Sequence, residues 1–146
     1  MRSRFPAVLL AVAAAVLLGA PSASADTVRP FDLRVGTQLT PGKARTNGTA
    51  TFRSAQRNRV TIRGLVNDIC PKDGYGATLT FTVFFRDGSH TGNGAFDDAG
   101  CRAGGKRYAW TSPVSRSRVA RVELVLYEHD QETMQIGDLR RRTLRP

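Results

Sequence analysis

The sequence predicts an all-β domain, a small antiparallel β-sandwich or barrel, behind an N-terminal export signal. Three observations predict it. Beyond residue 25 no stretch keeps an apolar period of 3.6 for three turns, so no amphipathic helix is expected. Polar and apolar residues alternate instead, most clearly over 77–83 and 119–127, which is the period of a half-buried strand. Gly-, Pro- and Asp-rich punctuation then divides the chain into six or seven short strands.

Taken in order, the first element is a leader. Arg2 and Arg4 form a basic head, residues 7–20 are an Ala-, Val- and Leu-rich run, and Ala23-Ser24-Ala25 is a small-x-small cleavage site. The run is too short, and too soon followed by Pro21, to serve as a membrane anchor. A secreted, extracellular chain starting at Asp26 is expected, with no transmembrane segment. Cutting the 146 residues after Ala25 leaves 121, enough for one domain over 26–146 with its own core.

Residues 31–38 are the first candidate strand, ahead of the Pro41-Gly42 turn. Residues 48–54 and 59–66 flank Ala55-Gln56-Arg57-Asn58, the spacing of a hairpin with a four-residue loop. After the turn Cys70-Pro71-Lys72-Asp73-Gly74, threonines line one face of 77–83, and Leu79, Phe81 and Val83 line the other. That strand extends to 86, with Phe84 interrupting the alternation. Residues 87–94 read as a Gly-rich loop, and 107–112 as another strand. Over 119–127, Val122, Leu124 and Leu126 lie opposite Arg121, Glu123, Val125 and Tyr127. Residues 133–136 give the last strand, and 139–146 form a basic tail.

Export also sets the cysteine chemistry. Cys70 and Cys101 are the two cysteines, and an isolated pair in an oxidising compartment is expected to form one disulfide. Closing a loop of about 31 residues stabilises a fold by about 3–4 kcal/mol in the chain-entropy account. A zinc site would need closer Cys or His partners. The bond is expected to pin two loops at one end of the domain. An immunoglobulin-like shape fits the strand pattern, but Trp110 follows both cysteines, unlike the Cys–Trp–Cys order of antibody domains.

The leader, the run from Val60 through Cys70-Pro71-Lys72-Asp73-Gly74-Tyr75-Gly76, the strand after it and the second cysteine in Asp98-Ala99-Gly100-Cys101 together resemble small secreted, uncharacterised proteins of Actinobacteria of the Streptomyces type. The resemblance covers about residues 48–128. It implies export and a small β fold, and it brings no activity and no functional residues with it.

The chain carries 22 Lys and Arg against 12 Asp and Glu, a net charge of +10, or +8 once Arg2 and Arg4 are removed. Only Lys43, Lys72 and Lys106 are lysines. Such an arginine bias follows from a GC-rich genome, and it equally supplies planar donors for phosphates and carboxylates. The densest cluster is Arg140, Arg141, Arg142 and Arg145, which would draw a polyanion with strong salt dependence. A frayed, solvated terminus is the competing reading.

Catalytic patterns are weak. His90 and His129 are the only histidines, and nothing in their spacing brings a carboxylate and an arginine to either one. Glu128 and His129 are adjacent in a strand and so face opposite ways. No G-x-S-x-G elbow is present. Counted from Asp87, the loop to Asp98 partly mimics a calcium loop, but hydroxyls stand at positions 3 and 5 and no glutamate closes it. A different oxygen-rich calcium site would draw on Asp87, Asp97 and Asp98. Tyr75, Phe84, Tyr108, Trp110 and Tyr127 are aromatics available to a carbohydrate platform or to half-buried strand positions. Asn47-Gly48-Thr49 is a sequon for which no modification is expected in a bacterial-type sequence.

The favoured reading is a secreted, non-catalytic binding protein attached to an anionic cell-wall polymer, polysaccharide or other polyanion through its basic residues. Nucleic acid is disfavoured because the tail lacks interleaved aromatics. The alternative is a secreted inhibitor or protein-partner module using disulfide-held loops, and a small hydrolase comes third. No cofactor is required.

Overall fold

The structure, a computed structural model, describes residues 25–36, 43–69, 75–98, 104–130, 132–133 and 135–146. Among these residues there is no helix. They form β1 (Thr27–Val35), β2 (Ala44–Phe52), β3 (Val60–Asp68), β4 (Tyr75–Phe85), β5 (His90–Asp97), β6 (Lys106–Thr111), β7 (Val119–Asp130) and β8 (Ile136–Leu144). Two four-stranded antiparallel sheets result, ordered β1-β2-β3-β6 and β5-β4-β7-β8. Their inner faces share one apolar core, as the alternation in 77–83 and 119–127 requires. Leu79, Phe81 and Val83 meet Leu126, Leu124 and Val122 across the central β4–β7 pair, and all are buried.

Two glycines shape the packing of the first sheet. Gly48 and Gly64 are cross-strand partners on the inner face, flanked by Phe31 on β1 and Tyr108 on β6. A Cβ on Gly48 would stand 2.8 Å from Phe31 Cζ, and one on Gly64 would stand 2.5 Å from Tyr108 Oη. The rings of the two edge strands therefore occupy the space that these residues leave empty. From the facing sheet, Phe81 packs on Tyr108 and Trp110 with ring centroids 5.9 and 5.2 Å apart. The Tyr108 hydroxyl lies 3.2 Å from Thr46 Oγ1, which in turn donates to the Leu65 carbonyl.

Several boundaries depart from the sequence reading. β1 begins at Thr27 and passes through Pro30, which an edge strand tolerates because one side of its ladder is open. Gln38 and the Pro41-Gly42 turn lie outside the described residues, as do the leader up to Ser24, Cys70 and Cys101. The predicted hairpin of β2 and β3 is present, in register from Ala44↔Asp68 to Phe52↔Val60. Phe84 points outward and Phe85 inward, so β4 keeps its alternation. The irregularity lies opposite, where the register passes from Arg121 to Val119 and skips Ala120.

Two segments read as loop and tail are strands. Within 87–94 only the first residues turn, with Gly88 at φ 86°, and β5 begins at His90. The glycines that suggested a loop lie in a paired edge strand, where a Cβ on Gly92 or Gly94 would crowd the carbonyl of Phe81 or Leu79. The supposed tail is β8, hydrogen-bonded along β7 from Val122↔Leu144 to His129↔Ile136. Residues 133–136 fall mostly in the connection before it, where Asp130 Oδ1 accepts the backbone N–H groups of Glu132 and Thr133, each at 2.8 Å.

The strands alternate strictly in direction, so the connections do too. The β2–β3, β4–β5 and β6–β7 connections share one end with the start of β1 and the finish of β8. The β1–β2, β3–β4, β5–β6 and β7–β8 connections share the other.

Two tests follow from the core. Gly64→Ala should cost about 2–3 kcal/mol in urea unfolding, because the new Cβ meets the Asn47 backbone carbonyl as well as the Tyr108 ring, so both the β2–β3 backbone and Tyr108 must shift. Burial pushes the Tyr108 phenol from 10.0 up to about 12, against the smaller opposing effect of its bond with Thr46. Its stabilising contribution is thus complete below pH 10 and is lost as the pH rises towards 12. The urea midpoint of the wild type should fall across that window, and Tyr108→Phe should flatten the fall.

Candidate anion-binding site

The end that carries the β2–β3, β4–β5 and β6–β7 connections is laced by backbone hydrogen bonds. Val119 N donates to the Arg57 carbonyl at 2.8 Å, and Arg86 N donates to the Arg118 carbonyl at 2.9 Å. Asn58 Nδ2 donates to the Ser115 carbonyl, and Asp87 N to Ser117 Oγ. Three loops are thereby held to one another, and each presents arginine.

Arg53, Arg57, Arg86 and Arg118 line one open cavity of about 240 Å³. Arg53 follows the last residue of β2, Arg57 sits in the β2–β3 turn, Arg86 follows β4, and Arg118 precedes β7. Phe52 and Val119 contribute apolar wall, Thr27 and Ser54 contribute hydroxyls, and Ala25 and Pro146 complete the lining. No carboxylate side chain lines it. Among the described residues the ion pairs are Asp32 with Arg34 and Arg45, and Arg121 with Glu123, so none of the four cavity arginines is neutralised by one. Four planar donors on backbones tied together, around a space with no acidic side chain in its lining, form a receptor for oxyanions.

The predicted arginine cluster is placed differently. Strand alternation splits it: Arg141 lies opposite Val125 on the outer face, while Arg140 and Arg142 take the opposite parity. Arg142 and Arg145 line a shallower groove with Arg29, Arg121 and Glu123. Arg29 donates to the Arg145 carbonyl at 3.0 Å and so ties the end of the chain to β1. Nearby, Asp32 is held below the ordinary carboxylate range, chiefly by its hydrogen bonds from Arg45.

The remaining candidates do not assemble. Gly76 pairs with His129 and Phe84 with His90, so the histidines sit on one face about 26 Å apart. Glu128 is buried inward and His129 faces outward. Asp87 lies in the β4–β5 turn, where its hydrogen bonds from Ser89 hold its carboxyl below the ordinary range. Asp97 is at the far end of β5, buried, and accepts the Asp68 backbone N–H at 3.0 Å. The three aspartates proposed for calcium are therefore split between the two ends, because 87–98 is a strand and not a folded loop. Among the described residues no group of three or more His, Cys, Asp or Glu is placed to hold a metal.

Of the suggested aromatics, Tyr108 and Trp110 pack against the core, and Phe84 lies under the Arg121 guanidinium, 3.9 Å from its ring centroid. The side chain of Tyr75 lies outside the described residues. Tyr127 joins Thr78, Phe96, His129 and Ile136 around a cleft on the outer face of the second sheet. His129 Nδ1 lies 2.9 Å from Thr78 Oγ1, and its ring covers Gly76, where a Cβ would approach Cε1 to 2.8 Å. Phe96 and Ile136 are each about 60% exposed there. This cleft is at the end opposite the arginines.

Sequence inspection did not single out the four cavity arginines because they come from three separate stretches of the chain. The available signal was topological: every one adjoins one of the three connections that share an end. Comparisons with protein-family models, curated proteins and solved structures return no match.

Four like charges around one cavity repel. Arg57→Gln combined with Arg118→Gln should raise the thermal midpoint by about 2–4 °C at low salt, and the gain should vanish at high salt. Calorimetry at two ionic strengths reads this directly.

Proposed function

We propose that this is a secreted, non-catalytic protein that attaches to an anionic cell-wall polymer, or a polyanion of similar chemistry, through its arginine-rich end. The observation that carries this reading is the cavity of Arg53, Arg57, Arg86 and Arg118 without a carboxylate side chain in its lining. Arg140, Arg141, Arg142 and Arg145 extend the positive surface along β8. Guanidinium forks match phosphate and carboxylate oxygens, and a linear polymer can engage several at once. The net charge supplies long-range attraction, which salt screens.

A Cys70–Cys101 disulfide belongs to the same proposal. The hydrogen bond from Asp68 N to Asp97 draws together the strand ends that lead towards the two cysteines. Intact mass after alkylation without reductant should show neither cysteine modified. A second reading, a protein partner docking at the other end, is favoured by the exposed Phe96, Ile136 and Leu139 beside the Tyr127 cleft.

Retention on isolated wall polymer across a salt series tests attachment. Replacing the four cavity arginines by glutamine should lower the slope of log affinity against log salt by about three. Replacing Arg140, Arg141, Arg142 and Arg145 should lower it less. An unchanged slope in the first variant would exclude the cavity, and retention indifferent to salt would exclude electrostatic attachment.

A further inference from the structure

We infer that leader removal completes the arginine cavity: the α-amino group released on Asp26 becomes a fifth cationic group on its wall, so the processed chain binds tetrahedral oxyanions more tightly than the precursor. This rests on reading the cavity as an anion site, and on cleavage after Ala25.

Ala25 itself lines the cavity, so the peptide bond from Ala25 to Asp26 lies at its wall. In the precursor that nitrogen is a neutral amide. After cleavage it is an ammonium beside Arg53, Arg57, Arg86 and Arg118. The first residue of the processed chain is also fixed in place. Asp26 Oδ1 accepts the Ser54 backbone N–H at 2.9 Å and lies 3.4 Å from Ser54 Oγ, and Ser54 is another lining residue. β1 begins one residue later, at Thr27. The new terminus is thus clipped to the end of β2 and delivered to the cavity.

The charges facing the new amine define its pH behaviour. They are the four arginines, the Asp26 carboxylate bonded to Ser54, the terminal carboxylate carried by the lining residue Pro146, and Arg29, which donates to a Pro146 oxygen at 3.3 Å. An α-amino group ordinarily titrates at about 7.7–8.0, and neighbouring guanidiniums favour its neutral form. A bound dianion favours the charged form. The extra affinity should therefore be present below neutrality and absent at pH 9.

The test measures binding of inorganic sulfate, which does not titrate in this range, by calorimetry at low ionic strength. All residues of the apolar core lie from Phe31 to Leu144, so a chain starting at Asp26 keeps the whole core. It is compared with a chain starting at Ser24, with an Nα-acetylated form starting at Asp26, and with Arg57→Gln/Arg118→Gln. The Asp26 form should bind at least tenfold more tightly at pH 6.5 than the extended and acetylated forms, and the gap should close at pH 9. Equal affinity in these three, with binding lost in the arginine variant, would overturn the role of the amine and leave the anion site standing. Sulfate binding that survives in the arginine variant, or is absent from every form, would overturn the site itself.

Discussion

The fold depends on a space that two residues decline to fill. Gly48 and Gly64 sit side by side on the inner face of the first sheet, and Phe31 and Tyr108 lie into the vacancy from either edge. Only because those rings lie low can Phe81 reach across from the second sheet to stack on Tyr108 and Trp110. Glycine within a strand costs backbone entropy, and here large rings offset that cost by burying apolar area. The same arrangement couples all four strands of the sheet, since each contributes one member of the row.

That core keeps the two sheets in register, and the register decides what gathers at each end. Because successive strands alternate in direction, even where the chain crosses between sheets, every second connection lies at the same end, so residues far apart in sequence become neighbours. Arg53, Arg57, Arg86 and Arg118 come from three connections and meet at one cavity. At the opposite end, where Lys43, Lys106 and Arg107 also lie, Asp97 is used inward to hold Asp68 and Asp130 caps its own turn. The convergence of these arginines is a product of topology.

Interior strands were legible in the sequence because one face of each is buried and the other wet. β4 and β7 show this cleanly, and their alternation predicts their facing residues. Of the four edge strands, β1 and β6 were read as strands, whereas β5 and β8 were not. β5 buries only Ala95 and Asp97, and β8 only Leu144, so neither has a pattern to read. Such strands are specified by the neighbour whose hydrogen bonds they complete, and their own composition suits an edge: glycine in one, arginine in the other. The site escaped for a related reason. A run such as Arg140-Arg141-Arg142 is conspicuous in sequence, yet strand alternation disperses it. The arginines that converge are single residues next to turns.

Charge sorted by topology gives the molecule a direction as well as a site. Under the proposed attachment, a protein held by its arginine-rich end stands with its strands upright on the polymer. β4 alone has 11 residues, and at about 3.3 Å each it reaches about 36 Å. Physiological salt screens charge over about 8 Å, so the far end stands several screening lengths above the surface. On the proposed attachment, the Tyr127 cleft there faces the surroundings free of the polymer's field, presented outward like the head of a pin.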